Sequence, residues 1–364
     1  MTSFFFPALL APFSSRAIAL LTLIALLPWP TMAESQSAWR VETFSLTSKQ
    51  LQQNKLALNV QREIWVWLPP GYDQSTRRYP VIHYIHNYGW SAQQMHEVER
   101  IGETFSRALA RGQTDEFIFV VGDYRATHTP GVFCGNNTVV GRWWDYTSKE
   151  LVAAVDKRYR TIAKPEARGL AGDFIGGYCA IRVAMERPGV FSSVYALHPV
   201  GTASDRILRS EPEWQLLNTA RSYQDLKGMN PFTQAYLLMA QSHVPNPNKP
   251  PFYANFLKTL DHGELSVAPK TLTELRNNFA LKNRVGRFVE PLKSLRGFMF
   301  DWGRQDPNQA HVTGNRQFAW ELEQYGIPHF AEEYRGNEWS EKWIPYGRVE
   351  DRMLPFFKRY LELE

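Results

Sequence analysis

The chain has 364 residues, of which 44% are hydrophobic and 14% aromatic, too much apolar material for a disordered chain and enough for a full core. Lys and Arg number 41 against 36 Asp and Glu, a net charge of +5 scattered along the sequence, so charge gives no case for nucleic-acid binding. No Gly or Pro repeat, heptad run or internal period of about 20–50 residues is present, which excludes collagen, coiled coil and solenoid.

The N-terminus opens with an apolar run whose one charge is Arg16. Residues 17–27, Ala-Ile-Ala-Leu-Leu-Thr-Leu-Ile-Ala-Leu-Leu, are followed by Pro28-Trp29-Pro30 and Thr31-Met32-Ala33. A short apolar stretch, a helix breaker and small residues at −3 and −1 form the pattern of a secretory signal cut after Ala33. The expectation is a periplasmic or secreted protein with no membrane span once residues 1–33 are removed. Two cysteines, Cys134 and Cys179, leave one bridge or two free thiols open.

Residues 34–56 read as a polar entry segment. Alternation at 63–68 predicts a strand closed by Pro69-Pro70-Gly71, and 81–86 a second strand. Helical spacing covers 98–111, and the apolar run 117–122 suits a buried parallel strand. A helix at 149–159, a strand at 168–171, a helix at 176–186 and a strand at 192–197 continue the alternation. Residues 201–290 break it. They are polar, helix-leaning and punctuated by Pro-Asn-Pro-Asn-Lys-Pro-Pro at 245–251, which reads as a helical insertion or cap. A strand at 297–301, a helix at 314–325, a strand at 328–334 and a helix at 349–361 complete the chain. This pattern predicts an α/β fold with a mostly parallel central sheet flanked by helices, in one domain at 34–364.

Within it, Arg168-Gly-Leu-Ala-Gly-Asp-Phe-Ile-Gly-Gly-Tyr-Cys-Ala runs strand, tight turn, helix. Gly172, Gly176 and Gly177 let strand and helix approach, as in the nucleophile elbow G-x-S-x-G. Here the segment reads Gly172-Asp173-Phe174-Ile175-Gly176, with Phe174 where the serine belongs. With Leu68-Pro-Pro-Gly-Tyr72, Tyr84-Ile-His-Asn-Tyr-Gly89, Gly141-Arg-Trp-Trp-Asp-Tyr146, Asp156 to Ile162 and Pro188-Gly-Val-Phe-Ser192, the chain resembles the α/β-hydrolase esterases related to esterase D, the enterochelin esterases and the feruloyl or acetyl-xylan esterases. The resemblance covers about residues 60–200 and 291–364. It implies the α/β-hydrolase fold and a Ser, Asp, His order of catalytic groups. Asp306, in Gly303-Arg-Gln-Asp306, matches the acid, with Asp301 as runner-up. Glu338, in Gly336-Asn-Glu-Trp339, falls where the histidine belongs. The oxyanion donors would be the backbone N–H groups of Tyr88 and Ile175, with Asn87 replacing a family glycine.

A serine hydrolase needs a nucleophile, a base and an orienting acid. Phe174 has no lone pair or transferable proton, so a degenerate triad and a non-catalytic binding or scaffolding protein are expected. The alternative is an ester hydrolase with a non-standard mechanism. Asp173, Trp144, Trp302 and Trp339 are expected at the pocket, and Trp90, Trp143 and Trp343 near it. The implied ligand is acyl, aromatic or saccharide, with a protein partner as a further possibility. His83 and His86 point to opposite faces of a strand, so no metal is expected there. No cofactor motif is present. His198 reads as a pocket wall, and His311 stands in no recognisable pattern.

Overall fold

The structure, a computed structural model, describes residues 39–126, 131, 133–203, 211–227, 231–337 and 341–364. The leader, Glu338 and Trp339 lie outside the described residues.

Eight strands form the central sheet: β1 Arg40–Thr47, β2 Gln61–Leu68, β3 Val81–Ile85, β4 Ile118–Val121, β5 Arg168–Asp173, β6 Ser193–Leu197, β7 Gly297–Gly303 and β8 Phe330–Tyr334. Their spatial order is β1-β2-β4-β3-β5-β6-β7-β8. The β1–β2 and β2–β4 pairings are antiparallel and all others parallel. The parallel run brings the C-terminal ends of β3 to β8 to one edge of the sheet. Open α/β sheets place their sites at that edge.

The residues that make these strands also separate two cores. Along β4, Ile118 and Val120 face one buried cluster, while Phe119 and Val121 face the other, as the period of two requires. Flanking helices are α1 Ile101–Ala110, α2 Val152–Arg158, α3 Ile175–Glu186, α4 Gln309–Gln324 and α5 Leu354–Tyr360. Helix α1 buries Ile101, Phe105 and Ala108, one face at helical spacing. Among the described residues, no helix is long and apolar enough to cross a membrane.

Three local features differ from expectation. The entry segment contains β1, an edge strand whose mostly part-exposed alternation (Val41, Phe44 and Leu46 among polar residues) hides it among loops. The 201–290 segment carries helices Glu211–Thr219, Pro231–His243 and Pro269–Asn278, but also a hairpin of Lys258–Asp261 and Glu264–Val267. Its turn residues His262 and Gly263 both have positive φ, 48° and 89°, the conformation a two-residue hairpin turn demands. Helical backbone begins at Trp143–Asp145, earlier than the side-chain spacing indicates, and reaches α2 through a π-helical turn at Tyr146–Leu151.

Candidate functional site

The elbow forms as its glycines require. A Cβ on Gly176 would sit 2.0 Å from the Ile85 carbonyl oxygen, and one on Gly172 would sit 2.4 Å from the Gly176 carbonyl oxygen. Between them, Phe174 adopts φ 54° and ψ −111°, a region that side-chain-bearing residues rarely enter. Three backbone bonds hold it there. Its N–H donates to Leu197 O at 2.9 Å, and its carbonyl accepts from Tyr178 N at 3.0 Å and Val200 N at 3.4 Å. Surrounding structure over-determines the strained turn.

The Phe174 ring is half-buried. It stacks at 6.0 Å on His198 and meets His311 edge-on at 5.2 Å. It lines, without filling, a cavity of about 640 Å³. Phe133, Tyr236, Met239 and Phe279 supply apolar wall, and Asn308 and His311 supply polar wall.

Asp306 is buried beneath this cavity's polar side. Its Oδ2 accepts from His198 Nε2 and from His311 Nδ1, both at 2.8 Å, and its Oδ1 accepts from Asn308 N at 2.6 Å. Burial opposes ionisation, but the hydrogen bonds from the two imidazoles and from Asn308 outweigh it and hold the carboxyl well below the usual range. The remaining ring nitrogens are also engaged. Gly303 N–H donates to His198 Nδ1 at 3.1 Å. Asn308 Oδ1 accepts from Ala310 N at the helix cap, which leaves its Nδ2 to donate to His311 Nε2 at 2.7 Å. The pattern therefore places Nε2–H of His198 and Nδ1–H of His311 toward Asp306.

That assignment decides what the cluster can do. The ligand atoms of His198, Asp306 and His311 lie within 4.8 Å of one another, a spacing that suits a metal ion. Yet the nitrogens facing Asp306 carry protons, and a metal takes deprotonated nitrogen. The donor set forms a closed hydrogen-bonded array and does not fit a metal without turning both rings. As a general base, His311 has its lone pair already committed to Asn308.

The two backbone N–H groups expected as oxyanion donors are unequal. Ile175 opens α3, so its N–H has no acceptor within the helix. Tyr88 N–H donates to the Asn87 side-chain oxygen at 2.7 Å, so the residue in place of a glycine closes this donor. His86 anchors the loop, with Nδ1 against Asn87 O at 2.9 Å and Nε2 accepting from Tyr124 N at 3.1 Å.

The other expected residues disperse. Asp173 forms a buried ion pair with Lys342 and lines a second, smaller cavity with Trp90 and Trp343. Trp144 lies under the guanidinium groups of Arg182 and Arg187, and Trp302 packs on Phe300 and donates to Glu333. Neither Trp144, which is part-buried, nor Trp302, which is buried, is among the described residues that line these two cavities. Trp143 is fully buried. Asp301 accepts from Tyr195 Oη at 2.6 Å and Arg348 Nε at 2.9 Å, and meets His198 only through the histidine's backbone, whose N–H donates to Asp301 O at 2.8 Å. His311, Asn308 and Lys342 were not singled out from sequence. The one available signal was Asn308 as helix cap, with His311 three residues on in the first turn. Cys134 and Cys179 form a disulfide, fixing the loop that carries Phe133 to α3.

A profile of the family described as "Putative esterase" matches residues 25–237. No curated protein matches the chain. Among solved structures, a ferulic acid esterase superposes with a TM-score of 0.61 at 18% identity, over 89% of this chain and 98% of its own. An S-formylglutathione hydrolase from Agrobacterium tumefaciens gives 0.56 at 13% identity, over 90% and 97%. A fluorophosphonate-binding serine hydrolase of Staphylococcus aureus gives 0.54 at 15% identity, over 88% and 99%. The fold is the α/β-hydrolase fold.

Proposed function

The chain belongs to the esterase family, and from that premise we propose that it is an exported binding protein that holds an acyl or aromatic ligand without acyl-enzyme chemistry. One observation carries the reading: Phe174 occupies the elbow tip and walls an open cavity of about 640 Å³. A filled cavity would favour a purely scaffolding role, whereas this volume falls in the range of small-molecule sites. Its wall of Phe133, Phe174, Tyr236 and Phe279 suits a flat aromatic acyl group. Structures of like fold are named for ferulic acid, which agrees in chemical class. Export is supported by the leader pattern and by the Cys134–Cys179 bridge, since disulfides persist in oxidising compartments.

A hydrolytic alternative would route water through His311 and Asp306. It meets a base whose lone pair is engaged by Asn308 and an oxyanion donor closed by Asn87. In a serine protease, loss of the serine alone lowers kcat by about a million-fold. The test is direct. Purified protein with p-nitrophenyl acetate and butyrate gives no turnover above a boiled control, and a fluorophosphonate probe labels no serine. Turnover abolished by Asp306→Ala would establish the hydrolytic alternative, and labelling at a defined serine would establish an ordinary hydrolase. Methyl ferulate in calorimetric titration binds the native chain and loses at least tenfold in affinity in Phe279→Ala.

A further inference from the structure

The second cavity, of about 290 Å³, shares no described lining residue with the first. Its wall brings Asn87, Glu99, Asp173 and Lys342 together with the indoles of Trp90 and Trp343. Two of these polar groups are unanswered.

Asn87 is 2% exposed. Because its Oδ1 accepts the Tyr88 N–H, the amide orientation is fixed, and Nδ2 remains a buried donor with no acceptor. Such orphans are uncommon in folded proteins and call for a partner. Glu99 is half-buried, and its carboxylate makes no hydrogen bond or ion pair among the described residues, its backbone N–H alone being engaged, by Gln94 O at 3.2 Å. Burial holds its carboxyl above the usual range; Lys342 opposes this across the cavity, and Asp173 adds to it. Asp173 and Lys342 already pair with each other.

The cavity thus offers an unused donor beside a cation and an unused carboxylate, between aromatic walls. A carboxylate ligand alone would satisfy Asn87 but add a third negative charge against one lysine. An amine alone would meet Glu99 and leave Asn87 without an acceptor. A sugar hydroxyl could reach both groups yet gives Glu99 no counter-charge. A molecule with both charges on one carbon satisfies both groups at once.

We propose that this cavity binds a small zwitterion, an α-amino acid with an apolar side chain. Its carboxylate accepts from Asn87 Nδ2 on the Lys342 side, its ammonium pairs with Glu99, and its side chain lies against Trp90 and Trp343. The site is independent of the elbow cavity, so its failure leaves the function proposed above untouched.

Calorimetric titration of the purified protein at neutral pH tests it, with L-leucine as probe beside isovalerate, isoamylamine and glucose. Leucine is expected to bind saturably and at least tenfold more tightly than either half-molecule or glucose. Asn87→Ala and Glu99→Gln are each expected to weaken leucine at least tenfold. Glu99 is partly exposed, so Glu99→Gln gives a readable result even if Asn87→Ala fails to fold. No saturable binding of leucine, equal or tighter binding of isovalerate, isoamylamine or glucose, or unchanged leucine affinity in Glu99→Gln overturns the proposal.

Discussion

Phe174 is held in an unfavourable backbone conformation by bonds its neighbours supply, so the turn persists whatever side chain it presents. Replacing that side chain with a hydroxyl is therefore expected to leave the local geometry intact. Phe174→Ser is expected to show no p-nitrophenyl acetate turnover above background, because both nearby imidazoles already accept hydrogen bonds, from Gly303 N–H and Asn308 Nδ2. Asp306 has the opposite weight. Asp306→Asn puts an amide N–H against buried N–H donors and is expected to lower unfolding free energy by about 3 kcal/mol in urea denaturation. Acid acts on other residues first. His83 is fully buried, and burial, with Arg168 adding to it, lowers its pKa to about 3. Its folded-state value lies below the unfolded value near 6.5, so stability is complete above pH 6.5 and declines as pH falls from there toward 3. His86 and His243 are depressed chiefly by burial as well and share the upper part of that window. The urea midpoint is expected to fall as pH drops from 6.5 to 4, with a shallower slope in His83→Phe. Asp306 contributes only below that range, as pH drops under the usual carboxylate value. From sequence, the phenylalanine at the elbow tip was legible at a single position, 174. The partners of Asp306 were not, because His198 ends a different strand and is 108 residues away.

Elements explain why some of the fold could be read and some not. Strands β2 to β7 announced themselves by period or by continuous apolar runs, since each buries at least one face. Strand β1 and the hairpin at 258–267 are short or largely solvated, and pairing rather than composition makes them strands. The disulfide could not be deduced from two cysteines, because the decision rests on how the loop at 133–135 lies over α3. Closing a 45-residue separation contributes about 4 kcal/mol in the chain-entropy account. The double variant Cys134→Ala, Cys179→Ala is expected to lose about 2–4 kcal/mol in denaturant titration. Because Phe133 borders Cys134, methyl ferulate affinity should fall with it. A second tie, the Asp173–Lys342 pair, fastens the segment after β8 to the end of β5. Lys342→Met leaves a buried carboxylate alone and is expected to cost about 3–5 kcal/mol.

Over the whole molecule, the mostly parallel sheet flanked by helices followed from the alternation of strands and helices, whereas the strand order and the sizes and linings of the two cavities came only from folding. Expression with the leader is expected to yield, outside the cytoplasm, a chain that begins at Glu34 by N-terminal sequencing and has no free thiol by titration. Recovery of the intact leader with two reactive thiols would remove the case for export. The glycines around the elbow have a wider consequence. Close contact with the Ile85 and Gly176 carbonyls leaves no room for a side chain at 172 or 176, whatever residue stands between them. A search keyed to those glycines alone therefore reads the shape of the turn and says nothing of the side chain at its tip.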